Sequence, residues 1–186
     1  MEKLKLFMIM LGCKPAGRHT EQHDIFFALA GSLKETIPYA KAFWPEAQDN
    51  MHLDAWREVN HVDGYEITVV PKTAETTENK LFFINLGGYR AGEFDEPHYK
   101  LLVVAPDLAS ATQQAKKTTF FKHTGFSGAN AHIDDKYGVD VDDVYKVEDI
   151  LPLVFREQYS LSVKPMAALP VDEIHLGYFK LKTILG

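Results

Sequence analysis

The chain carries one pattern twice. Leu6–Gly17 reads LFMIMLGCKPAG, and 75 positions later Leu81–Gly92 reads LFFINLGGYRAG. The correspondence runs on through TEQHD (Thr20 to Asp24) and DEPHY (Asp95 to Tyr99), which share Glu and His at the same places. HLDAW from His52 then meets HIDDK from His132, at an offset now grown to 80, and VDGYEI from Val62 meets DDVYKV from Asp142. A repeat of this length implies that a unit of about 70 residues was duplicated, so that each half folds alike and packs on the other.

The local signals within each unit agree. Leu4–Leu11 and Lys80–Leu86 are short, nearly continuous apolar runs ending in glycine, which suits strands buried on both faces. His23–Ala30 and His98–Ala105 follow after glycine-rich loops and should pair antiparallel with the first strands. A helix follows each hairpin. Ser32 and Glu35 form a capping box, and Asp107 after Pro106 is an N-cap. Leu33, Ile37, Ala40 and Trp44 give one helix its apolar face; Leu108, Ala111, Thr112 and Ala115 give the other. Pro38 should kink the first helix. These helices are expected to end near Trp44–Pro45 and Phe120–Phe121, and after each His-x-Asp a short turn or one-turn helix should lead to a third strand, Tyr65–Val70 or Tyr145–Val147. The expectation is an α+β fold: a duplicated β-β-α-β unit, mainly antiparallel sheet with pseudo-twofold symmetry, and helices packed on the sheet. Its parts are a first unit at 1–72, a linker at 73–79, a second unit at 80–150 and a C-terminal extension at 151–186. Extra strands at Tyr159–Val163 and Ile174–Leu181 should cover a sheet edge.

Bulk properties exclude several partners. A hydrophobic fraction of 46% rules out intrinsic disorder. The formal charge of −6, with no basic run beyond Lys116–Lys117, argues against duplex nucleic acid and anionic membranes. The lone Cys13 has no disulfide partner within the chain, which suits a reducing compartment. Lys3–Cys13 faintly resembles a lipoprotein leader, but the same pattern recurs inside the chain at Leu81–Gly88, so both copies read as strands and the cytoplasm is the expected location.

The repeated polar residues are the candidates for chemistry, because core packing does not demand them. Each half has a Glu-x-His, Glu21 with His23 and Glu96 with His98, and a His-x-Asp, His52 with Asp54 and His132 with Asp134. Residues two apart in extended chain point to one side, so each pair presents a carboxylate and an imidazole together. Brought into one place they would suit zinc or another divalent metal, or a carboxylate-oriented imidazole for proton transfer. The plainer role is structural: Asp54 and Asp134 would N-cap a following turn, and His23 and His98 would bond backbone in the glycine loops. Gly12, Gly87 and Gly88 with Arg90 offer a second candidate, an anion-binding loop. Cys13 reads as a buried strand-end thiol, and Trp44 and Trp56 as packing residues.

At these residues the chain resembles a bacterial family designated domain of unknown function 1543, whose members carry one or two copies of the unit. The resemblance lies in LGG (Leu86–Gly88) and its echo LGC (Leu11–Cys13), in Glu-x-His and His-[Leu/Ile]-Asp, in VDGY (Val62–Tyr65) and in IHLGY (Ile174–Tyr178). It implies an uncharacterised cytoplasmic protein and supplies no reaction. The sequence reading therefore favours a non-catalytic module binding a small molecule or a protein partner, as a monomer or homodimer. The alternative is a metal-dependent or acid–base hydrolase using the duplicated motifs, with a divalent ion such as zinc as cofactor.

Overall fold

A computed structural model describes residues 3–75, 77–87, 92–117, 125–126, 129–130, 144–168 and 170–186. Strand β1 (Lys5–Cys13) pairs antiparallel with β2 (Gln22–Ala30), and helix α1 (Leu33–Phe43) follows. Further along, β6 (Lys80–Gly87) pairs antiparallel with β7 (His98–Ala105), followed by α2 (Leu108–Ala115). The registers correspond. Lys5 lies opposite Ala30 and Gly12 opposite His23 in the first hairpin; Lys80 lies opposite Ala105 and Gly87 opposite His98 in the second.

The helix starts use the residues their sequences offer. Asp107 Oδ1 accepts the Ser110 amide at 2.7 Å, satisfying one of the amides left open at the helix start. At α1 only half of the expected box forms: Glu35 reaches back, but to the Gly31 amide at 3.0 Å and to the Ser32 hydroxyl at 3.0 Å, and Ser32 caps no backbone group. Ile37 and Ala40 are buried as expected, whereas Leu108 is exposed because α2 is only eight residues long and begins there. The end of this helix expected near Phe120–Phe121 lies outside the described residues.

The third strand forms at Tyr65–Pro71 as expected, but outside the β1–β2 sheet. His52–Glu58 is itself a strand, β3, on the free edge of β1, so Asp54 caps no turn. The reason is energetic: β1 is apolar on both faces and leaves a row of amides and carbonyls that only another strand satisfies. A two-residue strand β4 (His61–Val62) and then β5 (Tyr65–Pro71) form a separate sheet with β11 (Tyr159–Pro165). Beside β6 the corresponding place is taken by β10 (Val144–Lys146), and the chain passes at once into the short helix α3 (Val147–Ile150). A further two-stranded ladder joins β8 (Gly125–Phe126) and β9 (Ala129–Asn130). After helix α4 (Leu153–Gln158) and β11, strand β12 (His175–Lys180) covers the outer edge of β3, and α5 (Leu181–Leu185) closes the described chain. The main sheet thus runs β12-β3-β1-β2 and the smaller one β10-β6-β7, all antiparallel.

Two faces of the main sheet do different work. Ile9, Leu11, Phe26 and Ala28 are fully buried, and α1 lies against their strands. The other face carries Met8, Met10, Gly12, His23, Ile25 and Phe27, and it turns toward the β6–β7 sheet, where the Phe27 and Phe83 rings meet edge to face at 5.5 Å. Beyond that second sheet, Phe82, Ile84, Leu86 and Val103 pack with Ala111 and Ala115 of α2 as a separate cluster. Burial of a large aromatic such as Phe27 supplies roughly 2–3 kcal/mol of driving force, enough to hold two sheets face to face with few such contacts. Among the described residues no helix is long and apolar enough to cross a membrane.

Candidate functional site

Strand register assembles four of the sequence candidates. Gly12 on the central strand β1 lies opposite His23 of β2 on one side and opposite His52 of β3 on the other. Two strand spacings, about 10 Å, separate the flanking backbones, and with no side chain on Gly12 both imidazoles can lean over it. The space is fully used. A methyl group placed on Gly12 would fall 2.2 Å from Asp54 Oδ2 and 2.4 Å from His52 Nε2.

Asp54 arrives there through a bulge. Met10 lies opposite Ala55 but Leu11 opposite Leu53, which leaves Asp54 as the extra residue on β3 and re-aims its carboxylate. Glu21 comes from the loop just before β2, two residues from His23 and on the same side. The result is a close quartet. His52 Nε2 lies 3.0 Å from Glu21 Oε1 and 3.3 Å from Asp54 Oδ1; His23 Nε2 lies 3.2 Å from Asp54 Oδ2 and 3.8 Å from Glu21 Oε2.

Burial is graded across the quartet. The His52 side chain is 3% exposed, Asp54 20%, and His23 and Glu21 about twice that, so the cluster opens to solvent through the last two. Tyr178 of β12 lies over the His52 ring, with centroids 4.1 Å apart. On its far side His52 Nδ1 faces the Asn50 carbonyl at 3.4 Å. A proton donated there leaves a lone pair on Nε2, the arrangement that orients imidazole ligands in metal centres. Nε2 and Asp54 Oδ2 are both buried without a hydrogen-bond partner, although oxygen and nitrogen atoms stand within 3.3 Å. Among the described residues, which include all four of these, no group of three or more His, Cys, Asp and Glu side chains has the geometry to hold a metal ion as it stands.

Of the second-half candidates only Glu96, His98 and Gly87 fall among the described residues. His98 begins β7 and its Nδ1 meets the Glu96 carbonyl at 2.7 Å, a backbone bond of the kind its structural role anticipates. His132, Asp134, Gly88 and Arg90 lie outside the described residues. Gly87 ends β6, and Gly12 adjoins the carboxylate of Asp54, a poor neighbour for an anion. Cys13 is fully buried at the end of β1, 3.7 Å from the Ala47 carbonyl; burial, reinforced by the charge on Glu21, pushes its thiol pKa up, so it stays protonated.

Three participants escaped sequence reasoning. Tyr178 stood within the IHLGY stretch but carried no assigned role. Arg57 and Lys100 line a hollow beside the quartet. Lys100 did leave a signal, since the residue 75 positions earlier in the repeated pattern is the apolar Ile25.

Comparison with known proteins adds little chemistry. The family model for Domain of Unknown Function (DUF1543) matches residues 18–69, a stretch that contains all four members of the quartet. A crystal structure of a protein Il1583 from Idiomarina loihiensis is similar, with a TM-score of 0.62 and 27% identity, covering 96% of this chain and 98% of that one. No curated protein matches.

Proposed function

We propose that the chain is a divalent-cation-dependent enzyme of hydrolytic type, centred on Glu21, His23, His52 and Asp54. The observation that carries this reading is His52 Nε2: buried, unaligned with any acceptor, and set between two carboxylates. With both imidazoles neutral the quartet holds two negative charges close together, Asp54 mostly buried and Glu21 at the open side, an arrangement that favours a counter-charge. A divalent cation balances it. Tetrahedral zinc with bonds of about 2.0–2.1 Å spaces its ligand atoms about 3.3 Å apart, and the nitrogen–oxygen separations here scatter from 3.0 to 3.8 Å about that value. Binding an ion would still require the side chains to rearrange, since His52 and His23 approach different oxygens of the two carboxylates.

In this reading a bound cation supplies Lewis acidity and lowers the pKa of a water. The chain's own residues do the rest. His52 and Asp54, held by the sheet, the Asn50 carbonyl and the Tyr178 ring, fix the geometry. His23 and Glu21, at the open side, can accept and return a proton. The matching strand registers support the view that the two halves are a tandem duplication, with the first copy bearing this centre.

A second reading is favoured by the imidazole–carboxylate contacts as they stand: His23 with Asp54 and His52 with Glu21 as metal-free acid–base pairs. One set of measurements separates them. Untagged protein, purified without chelator, should carry about one zinc or similar ion per chain, and His52→Ala or Asp54→Ala should lose it while Glu96→Ala keeps it. Folded wild-type protein that takes up no divalent ion at micromolar concentrations would overturn the metal reading. Hydrolysis of a 4-nitrophenyl ester that survives chelator but not His23→Ala would establish the acid–base one.

A further inference from the structure

The sheet face that carries the quartet does not close completely on the sheet opposite. One hollow of about 340 Å³ lies between His23 and Ile25 of β2 and Phe83, His98 and Lys100 of the other sheet. A second, of about 180 Å³, is walled by Met8, Met10, Ile25 and Trp56, with Arg57 and Lys100 at its edge. Ile25 and Lys100 border both, so the two hollows adjoin and lead from Trp56 to His23.

Two cations, Lys100 and Arg57, line the hollow beside Trp56, and one carboxylate, Asp24, lines the other. Neither Lys100 nor Arg57 forms an ion pair with a carboxylate among the described residues; Lys100 Nζ donates to the His98 carbonyl at 3.2 Å, and Arg57 feels Asp172 only at longer range. Partial desolvation lowers the pKa of both, with Asp172 opposing the shift at Arg57. Lys100 nonetheless stays accessible to solvent, so an incoming group can reach it. An exposed lysine is ordinary on an edge strand such as β7, but with Arg57 it sets two cations beside an apolar wall, a combination that suits an anion.

We propose that this groove seats a small amphipathic anion, its apolar body against Met10 and Ile25, its carboxylate or phosphate on Lys100 and Arg57. The opposite end of such a molecule then lies at His23, within reach of the quartet. Anion binding stands on the groove alone; only the identification of the bound molecule as substrate rests on the hydrolytic reading.

The test uses phenyl phosphate, benzoate and neutral benzyl alcohol, titrated into chelator-treated protein and followed by calorimetry. Emission of Trp56, isolated in a Trp44→Phe background, provides a second readout. Both anions should bind, and benzyl alcohol should bind about tenfold more weakly or not at all. Lys100→Met should weaken the anions by about tenfold with an unchanged melting temperature, and Lys100→Arg should restore them. Zinc uptake by the same wild-type preparation is measured separately, so failure of the metal centre and failure of the groove are read apart. Equal binding of neutral and anionic probes, or indifference to Lys100→Met, would overturn the proposal.

Discussion

Replacing Gly12 by alanine tests the heart of the site, because two physical effects oppose each other in sign. Gly12 lies within β1 and is not among the glycines with positive φ, so alanine fits its backbone. On backbone entropy alone the change should stabilise the fold by about 0.4–1 kcal/mol. The added methyl would, however, stand 2.2 Å from Asp54 Oδ2 and 2.4 Å from His52 Nε2, each about 1 Å inside a normal contact. His52 cannot step aside, since its ring is buried beneath Tyr178. Overpacking of this kind costs about 1–3 kcal/mol, so a net loss of about 1–2 kcal/mol is expected, or a fall in melting temperature of about 2–8 °C for a chain of this size. Misplacement of two donor groups should also weaken zinc uptake by about 10–100-fold. Thermal unfolding and competitive zinc titration read the two effects. A Gly12→Ala protein that melts higher and binds metal as before would show that the imidazole and carboxylate do not meet over this residue.

Two further perturbations address the elements that hold the site in place. Asp172, nearly buried, accepts the Asn60 and His61 amides at 3.0 and 3.1 Å and so ties the segment before β12 to the β3–β4 turn. Asp172→Ala should cost about 1–3 kcal/mol through the amides left open, visible in chemical denaturation, and should hasten proteolysis ahead of β12. At Glu148, burial acts to raise the pKa, but the ammonium of Lys146 at 2.7 Å, the Leu161 amide and Lys72 outweigh it and hold it below the usual range. Its stabilising contribution is therefore complete above the unfolded-state pKa and lost as pH falls through the folded one. Wild-type stability should decline more steeply with acid than that of Glu148→Gln, the gap closing at low pH; parallel curves would contradict the assignment.

Much of this was legible in the sequence because it is local. Apolar runs ending in glycine became β1 and β6, the hairpin partners began at Gln22 and His98, and Asp107 capped its helix. The strand at His52–Glu58, where the sequence suggests a turn after Asp54, is hidden because its alternation is obscured: Leu53 is fully buried on one side, but His52 is buried on the other. Two-faced burial of a histidine has no signature in composition. Lys100 and Arg57 were missed for a related reason, since a surface strand and an intersheet groove use the same residue types.

The sequence by itself determined which residues share a side of the extended chain: Glu21 with His23, and His52 with Asp54. Only the tertiary structure decided that the two pairs meet. That outcome depends on β1 lying between β2 and β3, on Gly12 falling in register with both histidines, and on a bulge that turns Asp54 inward. Pairing partner and register are set by which faces can be buried together over the whole molecule, a long-range balance that no short stretch of chain encodes.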